Sequence, residues 1–213
     1  MKEYNVKSIA NSTLEINGFC NKDIWRKADV IRDFSSPWED IKISNTEFRA
    51  LIDDENFYFC FKVYDTDIHI DKAEGVYDSI NESDRVEIFF RTGEELNPYY
   101  CLEIDPTARI MDFKAKPNKD FDFNWNWPQG ELLVISDIND EAYTVEGAIS
   151  IKSLKDLGLI NNNVIEAGVY RAKYTMGENQ NFQPTWMPWV NPNTKDPNFH
   201  IASSFGQFNL FVK

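Results

Sequence analysis

The sequence predicts an all-β, two-sheet antiparallel sandwich. Three observations carry that expectation. Apolar and polar residues alternate with period two along most of the chain, turn-forming clusters interrupt the alternation at hairpin spacing, and almost nothing reads as helix. With 213 residues, 42% hydrophobic and 15% aromatic, the chain is long enough for one sizeable β domain and short for two.

The alternating segments are 28–34, 46–52, 57–64, 85–91, 99–105, 109–116, 132–137, 142–149, 169–175 and 205–212. Turn chemistry separates them: DDEN before Phe57, RTGEELNP after the 85–91 strand, DPTA before Arg109 and DINDE before Ala142. One short helix is expected in SLKDLGL, closed near Gly158, and DIWRKADVI has room for a further helical turn. No repeat, low-complexity tract or linker is visible, so residues 1–213 read as one domain.

Two long loops remain, 118–130 and 177–202. The first packs four aromatic residues into a polar stretch, and the second holds four prolines, two tryptophans and two phenylalanines. Long irregular loops are commonly functional or packed on something, and clustered aromatics on a surface mark binding sites. Trp186 reads as core and Trp189 as a rim residue, because three residues apart in an extended segment they point to opposite sides.

Charge excludes several partners. A net charge of −13 with no basic cluster argues against a nucleic acid, whose affinity comes from Lys and Arg neutralising phosphates, and against an anionic membrane. No run approaches the roughly 18 apolar residues of a membrane span. Nothing at the N-terminus resembles a secretory leader, which implies a cytoplasmic protein if the chain is full length and a periplasmic or secreted one if it has been trimmed. Three scattered cysteines, Cys20, Cys60 and Cys101, fit neither a disulfide framework nor a zinc knuckle and read as reduced, buried thiols. Two histidines, His69 and His200, leave little for a transition metal.

The polar face is the informative part. On 85–91, Val86, Ile88 and Phe90 face the core and Arg85, Glu87 and Phe89 face outward. On 99–105, Tyr100, Leu102 and Ile104 face in, with Cys101 and Glu103 out. On 169–175, Tyr170, Ala172 and Tyr174 read as inward and Arg171 and Lys173 as outward. These charges either neutralise one another as cross-strand pairs or, roofed by the aromatic loops, are available to a ligand. Two carboxylates about 5 Å apart also match a retaining glycosidase pair. The neighbouring Arg85, Arg171 and Lys173 are expected to hold both acids ionised, which suits hydrogen-bond acceptors better than a general acid. Sugars suit such a face, since their rings stack on aromatics and their hydroxyls bond carboxylates and guanidinium groups. His200 either bonds a sugar hydroxyl or caps a loop carbonyl, and Glu146 reads as structural.

DIWRKA, TEFRALIDDENFYFCFKVYD, SDRVEIFF, YYCLEIDP, YTVEGAISIKSL and DPNFHIASSFGQFNL, in that order and spacing, resemble the family 9 carbohydrate-binding modules and family-9-like proteins. The resemblance covers nearly the whole chain. It implies an immunoglobulin-like antiparallel β-sandwich with long aromatic loops, and non-catalytic binding of a mono- or oligosaccharide linked to carbohydrate catabolism. It also implies that Glu87 bonds sugar hydroxyls, that Phe199 takes the place of a stacking tryptophan seven residues before Gly206, and that Lys173 is a further polar contact. Where the family has a second stacking tryptophan this chain has Asn81. Cys101 stands at or near a clamping arginine, and Glu103 at a neighbouring asparagine. Tyr77, Trp125 or Trp127 could supply the missing ring. No cofactor is required, although family members bind structural calcium, for which Asp65, Asp67 and Asp71 offer oxygen ligands on a turn-rich loop. Two other readings stay open: a glycoside hydrolase using Glu87 and Glu103, and a protein-interaction sandwich that has lost sugar binding. Oligomeric state is left unspecified.

Overall fold

The computed structural model describes residues 1–9, 12, 14–41, 43–177, 179 and 181–211. In chain order the elements are β1 (Glu3–Ser8), β2 (Thr46–Ile52), β3 (Asn56–Val63), α1 (Val76–Asn81), β4 (Arg85–Arg91), β5 (Tyr99–Ile104), β6 (Ile110–Lys116), β7 (Asp120–Asp122), β8 (Leu132–Ile138), β9 (Tyr143–Ser150), α2 (Ile151–Asp156), β10 (Ile160–Asn161), β11 (Val164–Met176), β12 (Phe182–Pro188) and β13 (Gly206–Phe211). The all-β expectation holds. The thirteen strands join edge to edge in one curled sheet, ordered β7-β6-β5-β4-β11-β13-β1-β2-β3-β9-β8, with β10 and β12 added to β11.

The curl brings the two halves face to face. Phe57, Phe59 and Phe61 of β3 and Val145 of β9 share one buried cluster with Val86, Ile88 and Phe90 of β4 and Leu102 and Ile104 of β5. Burial of these side chains is the main stabilising term, at about 1.5–3 kcal/mol for each large apolar residue. The inward sets on β4 and β5 are those the alternation predicts.

Three expectations about elements need correction. Segment 28–34 is not a strand: it touches the sheet through one antiparallel bridge, Ile31 to Phe48. Its buried residues are Ala28, Ile31 and Phe34, a spacing of three that does not match the period of two of a strand buried on one face. β1, with only Tyr4 and Val6 to mark it, escapes the pattern, and it pairs in parallel with both β13 and β2, so the sheet is not purely antiparallel. β12 lies inside the segment read as the loop 177–202 and contains Pro184 and Pro188, which an edge strand tolerates and a central one does not. The closing strand runs to Phe211, and Val212 lies outside the described residues. The expected helix is present as α2, its first turn capped by Ser150, whose hydroxyl accepts from the Ser153 N–H at 2.9 Å. DIWRKADVI supplies one 3-10 turn, Asp23–Lys27.

The cysteine expectation also fails. Cys20 and Cys60 form a disulfide, while Cys101 is free and buried. Cys60 points out of β3 into a second apolar cluster, where Leu14, Ile16 and Trp25 of the N-terminal segment cover the outer surface of that half-sheet. Glu146 anchors the same segment by accepting from the N–H groups of Asn17 and Gly18, at 2.8 and 2.7 Å, and from the Trp25 indole N–H at 2.7 Å. Among the described residues no helix is long and apolar enough to cross a membrane.

Candidate functional site

On the outer face of the β7-β6-β5-β4-β11-β12 half lies a cavity of about 410 Å³. Cross-strand register builds its floor. Glu87 of β4 stands opposite Glu103 of β5 and, on its other side, Tyr170 of β11; Glu103 in turn stands opposite Met111 of β6. One step along the strands, Arg85 faces Ala172, which faces Trp186 of β12. The small Ala172 side chain leaves room for the Arg85 guanidinium to lie 5.3 Å from the centre of the Trp186 ring, a cation–π distance.

Arg85, Glu87 and Glu103 are 3%, 1% and 4% exposed. The Arg85 Nε–H donates to Glu87 Oε1 at 2.9 Å, and the same nitrogen lies 2.7 Å from Glu103 Oε2. Its Nη1 donates to the Asn81 carbonyl at 2.9 Å, tying the floor to the end of α1. One Nε–H serves one acceptor well, and Glu103 Oε2 is left buried without a hydrogen bond.

Two carboxylates therefore share one cation away from water. Burial, and after it the neighbouring Glu103 charge, push the Glu87 carboxyl up to about 8 against the pull of Arg85. Burial raises Glu103 in the same way. This corrects the expectation that both acids are held ionised: desolvation outweighs the one guanidinium present, and the other two cations are elsewhere.

Those two are Arg171 and Lys173. They occupy the opposite face of β11 from the one expected, because Tyr170 and Ala172 pair with Glu87 and Arg85 and so share the cavity side. Arg171 donates to the Asp65 carboxylate and to Ser44 Oγ, the latter at 2.6 Å, and Lys173 bonds the Asp67 carbonyl and the Asp84 carboxylate, the latter at 3.2 Å. Although burial acts to raise Asp65, the Asp67 N–H and these two cations hold it below the usual carboxylate range. Asp65, Asp67 and Asp71 are not gathered as a calcium site, and among the described residues no three His, Cys, Asp or Glu side chains are placed to hold a metal. The sequence offered acidic residues on a loop; the fold uses Asp65 to neutralise Arg171.

Aromatic residues form the walls. Phe199, half-buried His200 and Trp186 close one side; Tyr77, Met111, Phe113, Phe121 and Phe123 close the other. Phe199 stacks on Tyr170, and the Tyr170 ring lies back over Gly168, where an added Cβ would fall 1.8 Å from its hydroxyl. Only glycine fits there. Phe121 and Phe123 pack on Phe113 with ring centres 5.1 and 4.9 Å away. His200 sits 5.1 Å from the Phe89 ring with Nδ1 3.1 Å from the Tyr99 hydroxyl, and burial pushes its pKa down to about 3, so a neutral imidazole faces the cavity. Arg109 holds the α1 wall by donating to Asp105, to Ser79 Oγ at 2.7 Å and to the Asp71 carbonyl at 3.1 Å.

Of the anticipated residues, the fold brings Asn81, Arg85, Glu87, Glu103, Phe199 and His200 together, with Tyr77 as the replacement ring. Cys101 lies buried beneath the wall in an apolar cluster with Phe89 and Phe113, and burial raises its thiol pKa. Trp125 and Trp127 are not at the cavity. Trp127 is in the main core, bonded to Ser153 Oγ at 3.0 Å, and Trp125 packs against it. The roles assigned to Trp186 and Trp189 are exchanged, since Trp189 is core and Trp186 lines the site. Phe121, Phe123, Phe113 and Met111 were not anticipated; the crowding of Phe121 and Phe123 into a polar loop was their only signal. A wider depression of about 820 Å³ on the other half-sheet is bordered by Asp53, Asp54, Glu55 and Glu131, none of them buried.

Three solved structures share this architecture. A Bacteroides uniformis ATCC 8492 protein proposed to bind carbohydrate superposes with a TM-score of 0.75 at 14% identity, covering 98% of this chain and 99% of that one. A family 9 carbohydrate-binding module from Caldicellulosiruptor kristjanssonii in complex with glucose gives 0.61 at 17% identity, covering 100% and 97%. A family 9 module from the same organism with cellotriose gives 0.62 at 16%, covering 98% and 93%. At these identities the likeness establishes the fold. No curated protein matches the chain. The model for the carbohydrate family 9 binding domain-like family matches residues 16–212, so the chain belongs to that family, and carbohydrate binding is the function its membership indicates.

Proposed function

We propose that the cavity over Glu87 and Glu103 is the sugar site and that the protein holds its ligand without cleaving it. The observation that carries this reading is a fully buried, hydrogen-bonding floor beneath a ring of aromatic walls. A pyranose ring needs both: apolar faces to stack on and fixed acceptors and donors for its hydroxyls. Arg85 offers donors, the carboxyl groups offer acceptors, and neutral His200 adds one of each. The shared fold with modules that carry glucose and cellotriose supports a pyranose of that type.

The floor argues against hydrolysis. A glycosidase pair must flank the scissile bond, one carboxyl group for each side. Here both carboxylates lie side by side on adjacent strands within 2.9 Å of the same nitrogen, beneath a ligand rather than around it.

Calorimetric titration with glucose, cellobiose and cellotriose tests the reading. Binding that weakens about ten-fold or more in Glu87→Gln and in Trp186→Ala is the expected result. Absence of binding to any glycan across a broad array would remove the sugar site. Turnover of an aryl glycoside, lost in Glu87→Gln, would replace the module with a hydrolase.

A further inference from the structure

With both acids ionised, the charge on the cavity floor does not balance. Glu87 and Glu103, both lining the cavity, present two carboxylates to one guanidinium nitrogen, and Glu103 Oε2, buried 2.7 Å from Arg85 Nε, has no hydrogen bond of its own. Among the described residues that line the cavity, the one further acid is Asp78, exposed at the mouth, and Arg85 is the one Lys or Arg. Lys119 lines only a small adjoining space of about 100 Å³ next to Phe199 and His200. Two buried carboxylates that share one cation are costly, and the second is satisfied by a proton or by a cation brought from outside.

We propose that this site selects a sugar bearing a free, protonated amino group, such as a glucosamine unit, over the corresponding neutral sugar and over any acidic one. The inference rests on the cavity being the sugar site. An ammonium in place of one ring hydroxyl donates to the Glu87–Glu103 carboxyl pair, gives the second carboxylate its counter-charge, and sits in a cavity walled by Tyr77, Phe121, Phe123 and Trp186, aromatic rings of the kind that attract cations. The empty site keeps its floor neutral by holding a proton on the Glu87–Glu103 pair, and the ligand's ammonium takes over that task. A uronic acid or sulfated sugar would add a third anion to the same floor.

The test compares cellobiose with the β-1,4-linked disaccharide of glucosamine, which keeps ring and linkage and replaces one hydroxyl per ring with an amine. Calorimetry is run at about pH 6, where the amine is protonated, and at low salt. The expected result is about 10- to 100-fold tighter binding of the amino sugar. That ratio should fall towards one in Glu103→Gln, whatever happens to the two affinities separately. Equal affinities for the two disaccharides would overturn the amine preference while leaving the sugar cavity standing, as would a preference that survives Glu103→Gln. Binding of neither would overturn both readings.

Discussion

Phe199 lies flat on Tyr170, their ring centres 4.2 Å apart and their planes within 15°. Trp186 meets the same phenylalanine edge-on at 5.6 Å. Phe199 is thus a buried prop that sets the wall of the cavity, with one face already covered. Phe199→Ala is expected to lower unfolding free energy by roughly 3 kcal/mol, as loss of a buried phenylalanine does, and to weaken sugar binding by letting Trp186 move. Thermal melting and calorimetric titration of the one variant check both. An unchanged melting temperature would contradict the prop.

The stacking surface belongs to half-buried Trp186 and exposed Phe123 instead. Replacing Trp186 with alanine should cost about 1 kcal/mol or more of binding, while Trp125→Ala, which alters a ring packed against the main core, should lower stability and leave affinity nearly intact. Sugar-induced change in tryptophan fluorescence should vanish in the first variant and persist in the second.

How much of this was legible in the sequence depends on where burial falls. Alternation placed Glu87 and Glu103 on one face because Val86, Ile88, Phe90, Leu102 and Ile104 outweigh their neighbours in hydrophobicity. It inverted β11, whose run from Ala167 to Ala172 is buried on both faces, so period two carried no sign of which face was the core. Tyr170 and Ala172 look like core residues and are the site's backing; Arg171 looks like surface and is fully buried against Asp65. Much of the aromatic wall comes from a prolyl edge strand, which holds Trp186, and from the short segment that holds Phe121 and Phe123, and neither has a periodicity to read. The Cys20–Cys60 pairing spans 40 residues and depends on the N-terminal segment folding over β3, which no local spacing encodes.

The raised Glu87 carboxyl makes stability fall as pH rises. A carboxyl near 8 in the fold and at its ordinary 4.5 when unfolded keeps its proton in the native state through that interval, so the native state loses its advantage steadily up to about pH 8. His200 works the other way: kept neutral by burial, with a pKa near 3 against an ordinary 6.5, it favours the fold as pH rises to 6.5 and contributes no slope above it. The two oppose each other below pH 6.5, and Glu87 acts without that opposition from there to about 8. About 1.5 pH units at 1.36 kcal/mol each give a loss of roughly 2 kcal/mol, or a melting temperature lower by roughly 4–8 °C. Glu103 and Asp84, also raised by burial, act in the same direction. Melting curves at the two ends of the window should show the decline, and Glu87→Gln should flatten most of it.

Arg109 controls the cavity from outside. It lines none of the site, yet its guanidinium bridges buried Asp105 to Ser79 on α1 and to the Asp71 carbonyl, fixing the helix that carries Tyr77 and Asn81. Arg109→Ala leaves a buried carboxylate without its cation, a change that typically costs about 3–5 kcal/mol. Sugar affinity should drop several-fold as well, because the Tyr77 wall loses its anchor. Hydrogen exchange confined to residues 71–84 would register the release. Exchange there no faster than in the native protein would mean that α1 is held by its apolar contacts, Ile80 foremost.

The disulfide should matter for stability and not for the ligand. Cys20 and Cys60 close a loop of about 40 residues, and chain-entropy arguments give such a crosslink about 4 kcal/mol through the unfolded state. It sits on the half-sheet that lacks the cavity, in a cluster built by Leu14, Ile16 and Trp25. Replacing both cysteines with serine is therefore expected to lower the denaturation midpoint markedly while sugar affinity, measured below that midpoint, stays the same. Glu146 would still hold the Asn17 and Gly18 amides and the Trp25 indole, so the N-terminal segment should remain docked in the folded state. A fall in affinity together with stability would mean that the two half-sheets transmit strain through their shared core, and that the N-terminal cover helps set the geometry of the Glu87 floor.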